Sequence, residues 1–591
     1  MKTNQDILIE QAIKIMDKER LDAFIIPTND PHMSEYTPAH WQVREWLSGF
    51  TGSAGTLVIT KEWTGLWTDS RYHLQAAQQL RGTKITLFKE GLKETPTIAQ
   101  QLKNTLKKGC TIGIDGQMMS ISEFTNLSNR LQGYKFNTTS KLISSLWPER
   151  PPLPTSECFQ FEDIFAGEET KSKLKRIRES FLKESNKILL VTALDEIAWI
   201  LNLRGDEIQN NPVVISFLLI SDDKCELFID RRKVNTQIGN YLFHQEVIIR
   251  EYNTIYPYLS EFRDLTIQYD PTQTNVQLKS ALDQSITEVL APSPIAQLKA
   301  IRNTIEIKNL KTAMKKDGVA MVQFLIWLEE SIAKKKITEL DVVSKLYELR
   351  SKQENFKGES FDTIAGYKEH GAIVHYSANT ETNKTLEPNG LLLVDSGAQY
   401  LEGTTDLTRT IALGDLSQAE IDDYTLVLKG HIALASAVFP QGTRGAQLDV
   451  LARLPLWKNR KNFLHGTGHG VGHYLCVHEG PQSIRMNENP IALELGMVTS
   501  NEPGVYIDNS HGVRIENLTL VAKEAEGMYG DYYKLETLTL CPICTKGINK
   551  NLLSGEEIEW LNNYHKEVFN TLKPLLNNQE QKWLKEATKS L

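Results

Sequence analysis

The chain has 591 residues, too many for one hydrophobic core, so about three domains are expected. Sixty-six basic against 74 acidic residues give a net charge of −8 without a basic stripe, which argues against a nucleic-acid partner. No apolar run approaches the ~18 residues of a membrane span, and the six cysteines are too sparse and irregular for a disulfide framework, so a cytoplasmic protein is expected.

The first residues, MKTNQDILIEQAIKIMDKERLD, read as a polar amphipathic helix rather than a signal peptide. Residues 1–150 read as an α/β domain, with buried strands at 23–27, 55–60 and 65–69 and a helix from Ser70. Glycines 49, 52 and 55 lack the Gly-Lys-Ser/Thr of a phosphate loop and read as turns. The proline-rich stretch 147–154 is a stiff linker and the first boundary. Residues 151–292 repeat the pattern: apolar runs at 188–191 and 213–220, then Cys225-Glu-Leu-Phe-Ile-Asp-Arg-Arg232, which parallels Leu66-Trp-Thr-Asp-Ser-Arg71. Neither copy gathers an acid, a base and a nucleophile, so both read as structural or as contact surfaces. A second boundary falls at Ala291-Pro-Ser-Pro294. A helical pattern follows to about Lys335, with a break expected near Gly318. Strands bearing glycine and histidine then dominate to about residue 524, and the tail beyond it, residues 525–591, ends in helices. In that tail Ser554-Gly-Glu-Glu557 is a capping box, and Trp560, Leu561, Val568, Phe569 and Leu572 form an apolar face. Cys541-Pro-Ile-Cys544 has redox or half-zinc spacing but no second pair, and reads as structural.

Chemistry-bearing residues gather in the third region. The apolar run from Leu391 ends on Asp395, and a Thr-rich alternating run carries Asp406. A symmetric hairpin between them, turning at Tyr400–Leu401, sets the two aspartates opposite each other, about 5 Å apart at Cβ. Two carboxylates held that close repel unless a proton or cation lies between them. His465-Gly-Thr-Gly-His-Gly470 is too glycine-rich for a zinc-binding helix, and reads as an extended loop that turns His469 or His465 inward. Glu502 precedes Pro503, which holds it extended. Residues 512–520 read as one strand with Arg514 and Glu516 on a shared face, and His375 and His478 each close an apolar segment. Four carboxylates with one imidazole suit Mn²⁺, Co²⁺ or Zn²⁺, and Asp395, Asp406, Glu502 and Glu516 together balance two divalent cations.

Asp395-Ser-Gly, Thr404-Thr-Asp406, His465-Gly-Thr-Gly-His-Gly470, Glu502-Pro-Gly504 and Arg514-Ile-Glu-Asn517 together resemble the pita-bread metallopeptidases, and within them the long, three-domain Xaa-Pro aminopeptidases. Residues 49–55 with Trp67-Thr-Asp-Ser-Arg-Tyr72, Leu428-Lys-Gly-His-Ile432, and Trp560-Leu-Asn-Asn-Tyr-His565 extend the likeness to nearly the whole chain. Asn501 departs from the Asp that relatives often carry there, at a non-ligand position. The resemblance implies two creatinase-like α/β domains (1–150 and 151–292), a pita-bread catalytic domain (293–524) and a C-terminal extension (525–591). It implies two divalent metals, manganese above all. Asp395 would hold one, Asp406 and Glu516 would bridge both, and His469 and Glu502 would complete the other. His375, His465 and His478 would line the substrate pocket, Arg514 would stand behind the ligands, His431 would be structural, and His473 has no counterpart. The implied reaction is attack on the bond before a second-position proline by a hydroxide shared between the metals. Glu502 would move the proton, while His375 and His478 would donate to the oxyanion and the leaving nitrogen. The implied partners are such peptides and a second copy of the chain. A prolidase is the nearest alternative and a non-catalytic peptide-binding module a remoter one; methionine aminopeptidase would leave the first 300 or so residues unexplained.

Overall fold

The computed structural model describes residues 3–182 and 186–591, so Met1 and Lys2 of the expected first helix lie outside the described residues. The helix itself runs Asn4–Glu19 behind a Thr3–Asp6 capping box. The chain folds into two compact units, one of residues 1–163 and 168–295, the other of 164–167 and 296–591.

The first unit holds two six-stranded sheets built on one plan. In the first, the strand Ala23–Pro27 is buried along its whole length. It pairs antiparallel with Thr56–Thr60 and parallel with Thr111–Ile114. Thr64–Thr68 and Ile85–Lys89 extend one side, and Lys135–Asn137 the other. In the second sheet Lys187–Val191 takes the central place, antiparallel to Ser216–Ile220 and parallel to Thr266–Tyr269. Cys225–Ile229, Val247–Arg250 and Thr287–Leu290 complete it in the same order and the same senses. The duplication read from a few residues therefore extends to every strand. Buried central strands need apolar side chains on both faces, and that requirement preserves the pattern where identities are few. The helix expected from Ser70 starts at His73, because Asp69 Oδ1 first accepts from the Arg71 backbone nitrogen at 3.0 Å and makes a turn. Asp230 and Arg232 repeat that turn at 2.9 Å in the second copy.

In the second unit the helix Thr304–Ile332 is continuous through Gly318. The glycine serves close packing instead of a break: a Cβ there would lie 2.5 Å from the Leu540 carbonyl oxygen and about 3 Å from Leu572. Three further helices, Glu339–Ser351, Gln418–Ala435 and Gly445–Lys458, lie within the region read as strands. The second buries Tyr424, Leu426, Val427, Leu428 and Ile432, which occupy more than one face and blur the helical period. The tail helices Gly555–Leu572 and Asn578–Ala587 place Leu561, Val568, Leu572 and Leu584 in one core with Leu310, Met314, Leu518 and Leu520. The tail is thus packed as its apolar face predicts.

Two sheets carry the candidate residues. One pairs Leu391–Ser396 with Ile364–Tyr367 and Leu407–Ala412. The other runs, in spatial order, Val438–Pro440, Gly530–Thr537, Asn517–Gly527, Val498–Asn501, Gly468–Gly470 and Glu479–Ile484.

Candidate metal centre

The register of the aspartate hairpin differs from the symmetric expectation by one residue per strand. Asp395 faces Thr408, and Tyr400 faces Gly403, so the turn is Leu401–Glu402. The Glu402 carboxylate pins this turn by accepting from Lys316 Nζ at 2.7 Å and Asn355 Nδ2 at 2.8 Å. Asp406 lies in the gap between two ladder segments, opposite Gly397. A Cβ on Gly397 would lie 2.0 Å from the Thr405 carbonyl oxygen, so the chain crosses there only because the side chain is missing. Both aspartates are buried.

His469 sits on the short strand Gly468–Gly470. Its Nδ1 donates to the Gly470 carbonyl at 2.9 Å, since a carbonyl can only accept. In the neutral ring Nε2 is then left as a lone pair. That atom lies 3.5 Å from Asp406 Oδ2 and 3.3 Å from Glu502 Oε1. Glu502 follows the strand Val498–Asn501, with Ser500 Oγ donating to its Oε1 at 3.2 Å. The strand expected over 512–520 is divided: His511–Arg514 pairs with Gly504–Ile507, and Asn517–Gly527 joins the six-stranded sheet. Glu516 occupies the break, where its backbone nitrogen donates to the Thr408 carbonyl at 3.1 Å and its Oε2 accepts from Thr408 Oγ1 at 2.7 Å.

Donor atoms of Asp406, His469 and Glu516 all lie within 4.8 Å of one another. Burial first, then the neighbouring Glu516, Asp395 and Glu502 carboxylates, push Asp406 well above the usual carboxylate range. Burial and then Glu502 and Asp395 do the same to Glu516. Asp395 Oδ1 and Glu516 Oε1 are buried without a hydrogen-bond partner. Carboxylates crowded against one another and a nitrogen lone pair, with two orphaned oxygens, need positive charge among them. The donor set therefore fits divalent cations with a preference for oxygen ligands and one imidazole.

Arg514 is buried beside the carboxylate cluster and forks onto Asp395 Oδ2, with Nη2 at 2.5 Å and Nε at 3.1 Å. Its Nη1 donates to Tyr506 Oη at 2.7 Å, and Tyr506 reaches His465 Nε2 at 2.8 Å. Tyr506 is a member of this array that the sequence reading missed; its place two residues past Glu502-Pro-Gly504 was the available signal. Both ring nitrogens of His465 are engaged, Nδ1 with the Gly466 carbonyl at 2.7 Å. His478 packs edge-on against His469, ring centroids 4.5 Å apart. Its successor Glu479 forms a buried ion pair with Lys299. His375 is half-buried and follows Val374, whose carbonyl accepts from Arg514 Nη2 at 3.2 Å. The segment carrying it is tied down by Glu339, a buried carboxylate that the sequence reading also missed. Glu339 accepts from Tyr367 N at 2.9 Å, His370 Nδ1 at 2.8 Å, Tyr376 Oη at 2.9 Å and Lys384 N at 3.0 Å. His431 lies outside the cluster as a brace, its Nδ1 on the Asn501 carbonyl at 3.1 Å and its Nε2 beside Asn517 Nδ2 at 3.2 Å. His473 Nε2 is 3.0 Å from the Phe165 carbonyl. The Cys541 thiol is buried, and burial raises its pKa.

The model of metallopeptidase family M24 matches residues 308–523, and that of the C-terminal region of peptidase M24 matches 531–591. Two creatinase/prolidase N-terminal domain models match 9–146 and 149–306. Xaa-Pro aminopeptidase 1 of Dictyostelium discoideum is 40% identical, with 99% of this chain and 96% of that one covered. The probable Xaa-Pro aminopeptidase P of Coprinopsis cinerea is 38% identical, covering 97% and 96%. The crystal structure of X-prolyl aminopeptidase from Caenorhabditis elegans, described as a cytosolic enzyme with a di-nuclear active site, superposes with a TM-score of 0.96 at 32% identity over 100% of both chains.

Proposed function

The chain belongs to metallopeptidase family M24, and from that premise we propose that it releases the first residue of peptides whose second residue is proline. It is an Xaa-Pro aminopeptidase, a metal-dependent hydrolase with two creatinase-like domains before a pita-bread domain. The observation that carries the reading is the meeting of four carboxylates and the His469 lone pair around buried, unpartnered oxygens.

We propose that Asp395, Asp406, His469, Glu502 and Glu516 would hold two divalent ions, Asp395 serving one, His469 and Glu502 the other, and Asp406 and Glu516 the pair, with Mn²⁺ as the native metal. Bound there, two such ions supply Lewis acidity and make a water nucleophilic near neutral pH. Glu502 would accept a proton at its carboxylate from the attacking water and pass it towards the leaving nitrogen. That nitrogen is the tertiary amide nitrogen of proline, a poor leaving group until protonated, and His478 beside His469 is the candidate donor. His375 donates to the developing oxyanion, and His465 with Tyr506 forms a wall of the substrate pocket. The negative edge at Asp395 and Asp406 receives the free α-amine, which restricts cleavage to the first residue. We further propose boundaries near 150, 292 and 524, a cytosolic location and a homodimer. Sedimentation of the purified chain tests the last; a monomer would exclude it.

The decisive experiment uses metal-stripped protein with and without Mn²⁺ on an Xaa-Pro-Yaa tripeptide, an Xaa-Pro dipeptide and an Xaa-Ala-Yaa control. Manganese-dependent release of the first residue from the tripeptide is expected. Cleavage of the dipeptide alone would make the chain a prolidase, and no cleavage with no bound metal would make it a binding module.

A further inference from the structure

Arg409 is fully buried, and its guanidinium makes six hydrogen bonds, none of them to a carboxylate. Three go to the strands of the metal centre: Nη1 to the carbonyls of Thr408 at 2.8 Å and Glu516 at 2.6 Å, and Nη2 to Asn517 Oδ1 at 2.8 Å. The other three go to the tail: Nε to the Pro542 carbonyl at 3.0 Å, and Nη2 to the Cys541 carbonyl and Tyr564 Oη, both at 2.8 Å. Every N–H of the fork is used, and one side chain joins Glu516 to a segment remote from it in sequence.

A second contact reinforces the first. Trp560, stacked on Tyr564 at 5.5 Å, lies edge-on to His431 at 5.8 Å. His431 in turn holds the Asn501 carbonyl and Asn517 Nδ2. The tail thereby bears on the residue preceding Glu502 and on the residue following Glu516.

We propose that Arg409 is a positioning residue for the metal centre, through which Cys541, Pro542 and Tyr564 of the tail set the backbone position of Glu516. The Cys541-Pro-Ile-Cys544 stretch then acts through its carbonyl groups, and neither thiol is required. The inference rests on the assignment of Glu516 as a ligand. Removing a group that orients a metal ligand commonly costs about 10–100-fold in metal affinity. Lysine cannot replace arginine here, because its three donors sit on one nitrogen and cannot span six acceptors.

The test is calorimetric titration of Mn²⁺ into metal-stripped wild-type protein and the variants Arg409→Gln, Arg409→Lys, Tyr564→Phe and Glu516→Ala, with thermal melting of each. Both Arg409 variants are expected to bind Mn²⁺ about tenfold more weakly or worse. Their activity on an Xaa-Pro-Yaa tripeptide should recover at excess Mn²⁺, with KM for the peptide unchanged. Tyr564→Phe should shift affinity in the same direction by a smaller factor. A folded Arg409→Gln protein with wild-type affinity and stoichiometry overturns the proposal, even if it melts earlier. Should Arg409→Gln not fold, unchanged affinity in Tyr564→Phe overturns it. Full two-ion binding by Glu516→Ala would instead remove the ligand assignment on which the inference stands.

Discussion

Asp406 and Glu516 are acids whose folded environment favours the proton. In metal-stripped protein the folded chain holds protons that the unfolded chain has already released above about pH 4. Stability is therefore lost as pH rises through and above the ordinary carboxylate range, and Mn²⁺ should abolish that loss; chemical unfolding with and without chelator reads both. The same repulsion gives a prediction for Asp406→Asn: metal binding lost, but a stripped protein that melts a few degrees above stripped wild type. An earlier melt would show that Asp406 stabilises the fold on its own account. His431 behaves oppositely. Burial lowers its pKa from 6.5 to about 3, so the unfolded chain takes up a proton that the folded chain refuses. Stability then falls as pH drops below 6.5 towards 3, and a His431→Gln variant should show a shallower acid-side decline in its urea midpoint.

At the scale of elements, the helix Thr304–Ile332 and the segment carrying His375 are each held by one small feature. Gly318→Ala gains about 1 kcal/mol of helix propensity. The new methyl group would meet the Leu540 carbonyl at 2.5 Å, and overpacking costs about 1–3 kcal/mol. A lower melting temperature is expected, and an unchanged or higher one would mean that the tail yields at this contact. Glu339 gathers four donors around the His375 segment, and Glu339→Gln loses its charge-assisted bond to His370 and strains the others. At about 1.5–3 kcal/mol for a bond to a charged group, a rise of about tenfold or more in tripeptide KM is expected at unchanged metal content. An unaltered KM would separate Glu339 from substrate binding.

On the scale of the whole molecule, the residues proposed as metal ligands all lie in the second compact unit. Binding that favours only the folded state stabilises by about 2.7 kcal/mol at a hundred times the dissociation constant. Scanning calorimetry of the stripped chain should therefore show Mn²⁺ raising the transition of residues 296–591 and leaving that of the first unit in place. A uniform shift of one transition would show that the two units unfold together. The first unit carries its own regularity: two sheets of identical strand order on little shared sequence.

The sequence by itself determined what is local. Buried strands such as Ala23–Pro27 appear as apolar runs because both faces need hydrophobic cover, and the tail helix appears through its cap and apolar face. The acids and the histidine of the centre stood out because each lies in a short run whose neighbours, glycine or proline, constrain its backbone. The tertiary structure alone decided what depends on distant chain. The hairpin register was set by Lys316 and Asn355 holding Glu402, and the break before Asn517 by Thr408 holding Glu516. Glu339 and Arg409 stand out only once the segments they join are together. A hydrogen bond between residues a hundred positions apart leaves no period or spacing in either segment.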